Sequence, residues 1–223
     1  MRLVLPGQEV QWNEPGRTFQ RHHHLRAYAA LLIRGSCHET GDRGRREVVT
    51  GDVLLHRPFD GHGDRVGRSG AEFINIPLDC TLDSAFGRVA DVDAVIRAFE
   101  RSFDEGRSLF HEQFGPCEDR SYDWPDMLAA ALADGQIKSL SVWSDSHGLH
   151  PASVSRGFRL AYGVSPKRFR LEQMAAHAAR RIRGSKDSLS EIAMESTFAD
   201  QAHMTRTLSQ LFAISPRDLR RLG

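Results

Sequence analysis

The feature that most constrains this chain is an internal repeat. Ser139-Leu140-Ser141 recurs as Ser188-Leu189-Ser190, and Gly148-Leu149 lines up with Thr197-Phe198, both at an offset of 49. The offset then becomes 50: Ser155-Arg156 matches Thr205-Arg206, Phe158 matches Leu208, and Val164-Ser165-Pro166 matches Ile214-Ser215-Pro216. The second copy carries one extra residue just after its turn. Self-similarity at such a period means one supersecondary unit built twice.

Each copy reads as helix, turn, helix. Ser139 or Ser141 in the first copy, and Ser188 or Ser190 in the second, can cap a short helix. Ser188-x-x-Glu191 has capping-box spacing. Gly148 supplies a turn where positive φ is easy. The helix from about 151 to 162 has Val154, Phe158 and Ala161 on one side and Ser155, Arg156 and Arg159 on the other. Its counterpart has Met204, Leu208 and Leu211 against Gln201, Thr205, Arg206 and Ser209. Such helices suit the major groove, where Arg and Gln pair with base edges. The alternative is a helical bundle with solvated arginines. Residues 166–183 read as one connecting helix of 18 residues, about 27 Å long. With the helix diameters added, the separation approaches one DNA turn, about 34 Å. Arg180, Arg181 and Arg183 at its end are placed to meet phosphates or solvent.

Charge supports a polyanionic partner. Residues 138–223 hold 14 Lys and Arg against 7 Asp and Glu, and the remainder carries a net −6. With 40% hydrophobic and 26% charged residues, bulk disorder is unexpected. No run approaches the roughly 18 apolar residues of a membrane span, and the N-terminus is too short and soon broken for a secretory signal. Cys37, Cys80 and Cys117 are widely spaced and odd in number, as expected in a reducing cytosol.

Residues 1–80 read as β: short apolar segments at 28–33, 47–49, 53–55 and 73–76 alternate with glycines. From about residue 88 the spacing turns helical, with Val89, Val92, Val95, Ile96 and Phe99, then Phe103, Leu109, Phe110 and Phe114. Gly115-Pro116 ends that stretch, and a further helix starts at Trp124-Pro125.

Residues 138–221 resemble the DNA-binding domain of the AraC/XylS family of bacterial transcription regulators. The matching stretches are 148–158 (GLHPASVSRGF), 163–166 (GVSP) and 198–206 (FADQAHMTR). The resemblance implies a cytoplasmic activator or repressor, binding double-stranded DNA and, as an activator, RNA polymerase. It places base-reading on Ala152, Ser155 and Arg156 and on Gln201, Ala202, Thr205 and Arg206. Ser153, Arg159 and His203 complete the expected DNA-binding set. Two positions depart from the family: Thr197 stands where the second turn usually has Gly, and Ala213 where Gly usually follows the second recognition helix. A β-branched residue at positive φ is strained. The second unit is therefore expected either to differ in backbone or to be weaker.

His22-x-His24, then Tyr28, then Gly35, has the spacing of the first cupin motif, with Tyr28 where Glu is usual; Gly51-Asp52 and His62 fit the second. The N-terminal region thus resembles a cupin sensor barrel. One reading is a divalent metal on His22, His24 and His62, with Glu39, His56 and Tyr28 nearby, since neutral imidazoles suit zinc, nickel, copper or iron. The other is a retained scaffold whose histidines hydrogen-bond. On either reading a small effector is expected in the barrel mouth, against walls drawn from Tyr28, Leu32, Leu54 and Phe73.

The expected architecture is α+β. A cupin-like β-barrel (1–82) is followed by a helical linker (83–135), then by an all-α domain (136–223) of two helix-turn-helix units joined by a long helix. The middle helix either mediates a homodimer or packs on its own barrel. A metal-dependent cupin enzyme with an appended nucleic-acid domain is the runner-up; the missing Glu argues against it, and no other catalytic motif stands out.

Overall fold

The computed structural model describes residues 10–79, 84–117, 123–137 and 139–222. Cys80, Lys138 and the segment 1–9 lie outside them.

The N-terminal half is one antiparallel sheet of eight strands: β1 (Val10–Asn13), β2 (Thr18–His23), β3 (Tyr28–Gly41), β4 (Gly44–Val49), β5 (Asp52–His56), β6 (Gly61–Pro77), β7 (Phe86–Val89) and β8 (Phe114–Pro116). Strands β3 and β6 form its spine. They pair along most of their length, and β6 also takes β1 and β2 while β3 also takes β4 and β5. Two register shifts, at Leu32/Arg34 and Gly35/Cys37, interrupt the β3–β6 ladder. Such bulges bend a strand. Gly35 permits the bend: its φ is +89°, and a Cβ there would collide with the Gly70 carbonyl.

Alternation divides the side chains between two faces. Ala29, Leu31, Ile33, Val53, Leu55, Ile74 and Ile76 pack outward beneath α1 (Val92–Arg101) and α2 (Phe103–Gln113) through Val95, Phe99 and Phe110. Ala30, Leu32, Cys37, Val48, Leu54, Val66 and Phe73 face inward. Asp91 and Ser102 cap the two helices. The apolar side of this hairpin is spent on the chain's own sheet. The helical reading of 88–115 also missed that β7 and β8, which flank the hairpin, pair with each other and extend the sheet.

The C-terminal half is helical: α3 (Trp124–Ala133), α4 (Leu140–Ser146), α5 (Pro151–Tyr162), α6 (Pro166–Gly184), α7 (Leu189–Glu195), α8 (Gln201–Phe212) and α9 (Pro216–Arg221). Helix α3 joins the first unit, its Leu128 and Leu132 packing with Phe158, Tyr162 and Phe169. The second unit has a core of smaller residues from α6, α7 and α8, closed by Phe59, which comes from the sheet half.

Candidate functional site

The two helix-turn-helix units are α4–α5 and α7–α8, and α6 joins them. Ser188 and Glu191 form the full capping box of α7; Ser139 precedes α4 without a side-chain cap bond. Ser165 and Ser215 cap α6 and α9 from equivalent places, each followed by proline in the first turn. Helix α6 has 19 residues and so spans about 28 Å.

On α5, Ala152, Ser153, Arg156 and Arg159 are exposed and Ser155 half-buried, while Val154, Phe158 and Tyr162 anchor the opposite side. On α8, Gln201, Ala202 and Arg206 are exposed and Thr205 is half-buried over Met204, Leu208 and Phe212. The His203 ring packs edge-on against Phe198 at 5.2 Å. Among the described residues, Arg156, Arg159 and Arg206 have no ion pair. Arg180, Arg181 and Arg183 are half-buried and each is engaged within the chain. Arg180 binds the Pro58 carbonyl and Asp60 at 3.2 and 3.1 Å. Arg181 binds Asp187 and Glu195, and Arg183 binds the carbonyls of Leu222 and Leu25.

The turns carry the backbone the departures from the family would strain. Thr197 has φ +61° beside +65° for Gly148, and Ala213 has φ +52° beside +73° for Gly163. The second unit keeps the same left-handed backbone without glycine.

A cavity of about 280 Å³ opens in the sheet half. Phe19, Leu54, Val66 and Phe73 supply apolar wall; His22, His24, His56, His62, Glu39 and Tyr28 supply polar floor. Leu32, expected in the wall, is instead fully buried in the inner core with Val48, Leu54 and Phe73. One ligand atom from each of His22, His24 and His62 lies within 4.8 Å of the others; Glu39, His56 and His62 form a second such group. His22 sets its Nδ1 on the Gln20 carbonyl at 2.9 Å. His62 Nδ1 lies 3.3 Å from Glu39 and 3.4 Å from Asp64, and its Nε2 is 3.1 Å from the Tyr28 hydroxyl. Burial alone would lower the His62 pKa, but hydrogen bonds to Asp64 and Glu39 raise it to about 10. Burial and the neighbouring His62 and His22 lower His24 to about 4. Burial raises Glu39.

Sequence reasoning did not single out Asp64, or the inward Gln11, Asn13 and Asn75, as part of this cavity. Their signal was alternation along β1 and β6, readable only once those strands and their register are known.

The joints between the halves were also not legible. Arg21 binds Asp42 and Glu172, with 2.7 Å from its Nε to Glu172. Arg45 binds Asp123 and Asp126, and Tyr162 donates to Asp126 at 2.6 Å. Burial would raise Asp126, but Arg45 and Tyr162 hold it below the usual carboxylate range.

Residues 143–222 match the family model described as a helix-turn-helix domain. That stretch is a helix-turn-helix domain, folded as two units. No curated protein matches the chain. Among solved structures, ToxT from Vibrio cholerae, bound to an unsaturated fatty acid, is similar at 9% identity over 100% of this chain and 98% of that one, with a TM-score of 0.44. An AraC-type regulator from Chromobacterium violaceum is 20% identical over 42% of this chain and 86% of its own, with a TM-score of 0.40. The C-terminal domain of AraT from Geobacillus stearothermophilus is 16% identical over 47% and 89%, with a TM-score of 0.43. The assignment rests on the family model and on the helical geometry.

Proposed function

We propose that the chain is a sequence-specific DNA-binding transcription regulator, not an enzyme, controlled by a small effector in the cavity. The observation that carries this is the pair of exposed helix faces, α5 and α8, each with an arginine that makes no ion pair among the described residues. They are joined by a helix of a length that suits successive major grooves. Ala152, Ser153, Ser155, Arg156 and Arg159 read one half-site, and Gln201, Ala202, Thr205 and Arg206 the other. His203, packed on Phe198, contributes less. Among the described helices, none is long and apolar enough to cross a membrane. Selection of bound duplexes from a random library at near-physiological salt tests the reading. Two preferred blocks about ten base pairs apart are expected. A single block removes the second unit's base-reading role, and no enrichment, with or without cavity ligands, overturns the proposal.

The cavity floor fits a divalent transition metal. His22 directs its Nδ1 to the Gln20 carbonyl, the arrangement that orients a metal-bound imidazole through its other nitrogen, and His62 sets Nδ1 beside Glu39 and Asp64, with Nε2 on the Tyr28 hydroxyl that an ion would replace. His24 Nε2 is buried without a partner. His22, His24 and His62 would hold the ion, with Glu39 and Asp64 behind His62. Tyr28, in place of the usual Glu, leaves the first sphere neutral. The ion would supply a cationic anchor for an effector's oxygen or nitrogen. Metal analysis of tag-free protein, with His22→Ala as control, checks this part separately.

A further inference from the structure

Residues 21–24 run between the cavity and the helical half, and their side chains alternate. His22 and His24 line the cavity. Arg21 and His23 turn the other way: Arg21 binds Glu172 of α6, and His23 Nε2 lies 3.8 Å from the same carboxylate. The His23 ring also packs edge-on against Phe212, the last residue of α8, with centroids 5.2 Å apart. A third connection runs through the backbone. The His24 carbonyl accepts the Phe59 N–H at 2.7 Å, and the Phe59 ring lies 5.0 Å from the same Phe212. Phe59 sits at φ +71°, a conformation a bulky residue keeps only where its surroundings hold it.

We propose that residues 21–24 are the coupling element of this protein: what binds His22 and His24 is felt at Glu172 and Phe212, and so in the placement of the second helix-turn-helix unit. The proposal rests on the reading that the cavity takes an effector, and it names the route. Strand β2 suits the task because its pairing with β6 is broken between Phe19 and His22, so this stretch can shift without unzipping a long ladder. Glu172 is 3% exposed and binds both Arg21 and Arg168, so a shift of Arg21 is not absorbed by solvent. All three connections end on α6 or α8. The first unit meets the sheet half chiefly elsewhere, through Arg45–Asp126 and the bond from Thr40 to the Ala161 carbonyl, and touches this element only where the Arg21 guanidinium lies 5.2 Å from the Phe169 ring. Because coupling is reciprocal, a change at Glu172 or Phe212 must also reach the cavity.

Amide hydrogen exchange and histidine-ring NMR on the full chain test this without DNA or a ligand. In His24→Ala, α8 amides are expected to exchange at least tenfold faster while α5 amides keep their rates. In Glu172→Gln and in Phe212→Leu, the His22 and His24 ring signals are expected to move; in Arg156→Ala they are not. Equal acceleration of α5 and α8, or unmoved ring signals in both helical variants, overturns the coupling. If His24→Ala does not fold, the two helical variants decide. Failure to select DNA would sink the regulator reading and leave this result standing on its own.

Discussion

The two helix-turn-helix units share a sequence grammar but are stabilised differently. The first fills its core from the helical half alone. Phe158 and Tyr162 stack and Phe169 packs edge-on against both, with centroids 4.6–5.4 Å apart, α3 closes the core, and Gly148 and Gly163 take the left-handed positions. The second is filled by Ala175, Ala176, Ala178, Ala179, Ile182, Ile192, Met204 and Leu208, borrows Phe59 from the other half, and holds Thr197 and Ala213 where glycine belongs. A duplicated unit has thus diverged into one whose core comes from the helical half and one whose core includes a residue of the sheet half. Dependence of that kind is what an effector-controlled unit requires, since a ligand shifts only an equilibrium whose states it contacts unequally.

The sharpest way to break this contrast is Phe59→Ala. Removing a fully buried phenylalanine costs about 3–5 kcal/mol. The loss is expected in the second unit: hydrogen exchange should rise in α7 and α8 and stay near wild type in α5. Equal loss in both units would show that they are one cooperative body. DNA contacts give the next effect. Arg156→Ala is expected to weaken operator binding by about 1–3 kcal/mol and to relax preference at one base position. Arg206→Ala, on the more strained unit, should lose less, again at one base position of its own half-site. Competition binding against single-base variants checks both, and a larger, base-specific loss for Arg206 reverses the ranking.

Acid should separate the units with opposite sign. Asp126, which docks the first unit on Arg45, has a folded pKa below its ordinary 3.8. Its contribution is present above that value and lost as pH falls through the folded one. Asp60, which meets Arg180 of α6, is raised by burial and by Asp42 despite Arg180. Its contribution is greatest below pH 3.8 and declines as pH rises through the folded value. Denaturation across pH 3–7 should therefore show the gap between wild type and Asp126→Asn shrinking on acidification. The comparison with Asp60→Asn should move in the variant's favour as pH rises. Parallel profiles for the two variants would mean that the docks are alike.

What the sequence showed and hid follows from the range of the forces. The repeat, the serine caps and the 3.6-residue periodicity are local, so α5 and α6 were legible to within a residue and α4, α7 and α8 by their caps and faces. His22, His24 and His62 were legible by spacing. Asp64 was not, and Glu39 entered only as a neighbour. In β3 the inward residues are Tyr28, Ala30 and Leu32, yet after the bulges they are Cys37 and Glu39. A one-residue slip exchanges the faces of a strand, and nothing local announces it except Gly35. The joints Arg21–Glu172 and Arg180–Asp60 link residues 151 and 120 positions apart. No period or motif marks such pairs, so Arg180 and Arg183 read as meeting phosphate or solvent when they bind groups of the other half.

The smallest effect isolates the backbone. Left-handed φ costs an L-residue about 1–2 kcal/mol relative to glycine, and glycine returns about 0.4–1 kcal/mol of that through the entropy of the unfolded chain. Thr197→Gly and Ala213→Gly should each therefore stabilise the protein by a few tenths to about 1 kcal/mol, Thr197 more because it is β-branched. The mirror substitutions Gly148→Ala and Gly163→Ala should destabilise by a similar amount. Nothing lies within 4 Å of the Cβ either would add, so their effect is conformational rather than steric. Thermal melts of the four variants form a closed comparison. If Thr197→Gly raises Tm but slows the loss of operator binding on heating no more than Ala213→Gly does, the strain is a neutral residue of divergence. If either glycine variant binds DNA equally well whatever occupies the cavity, the strain keeps the second unit within reach of its controller.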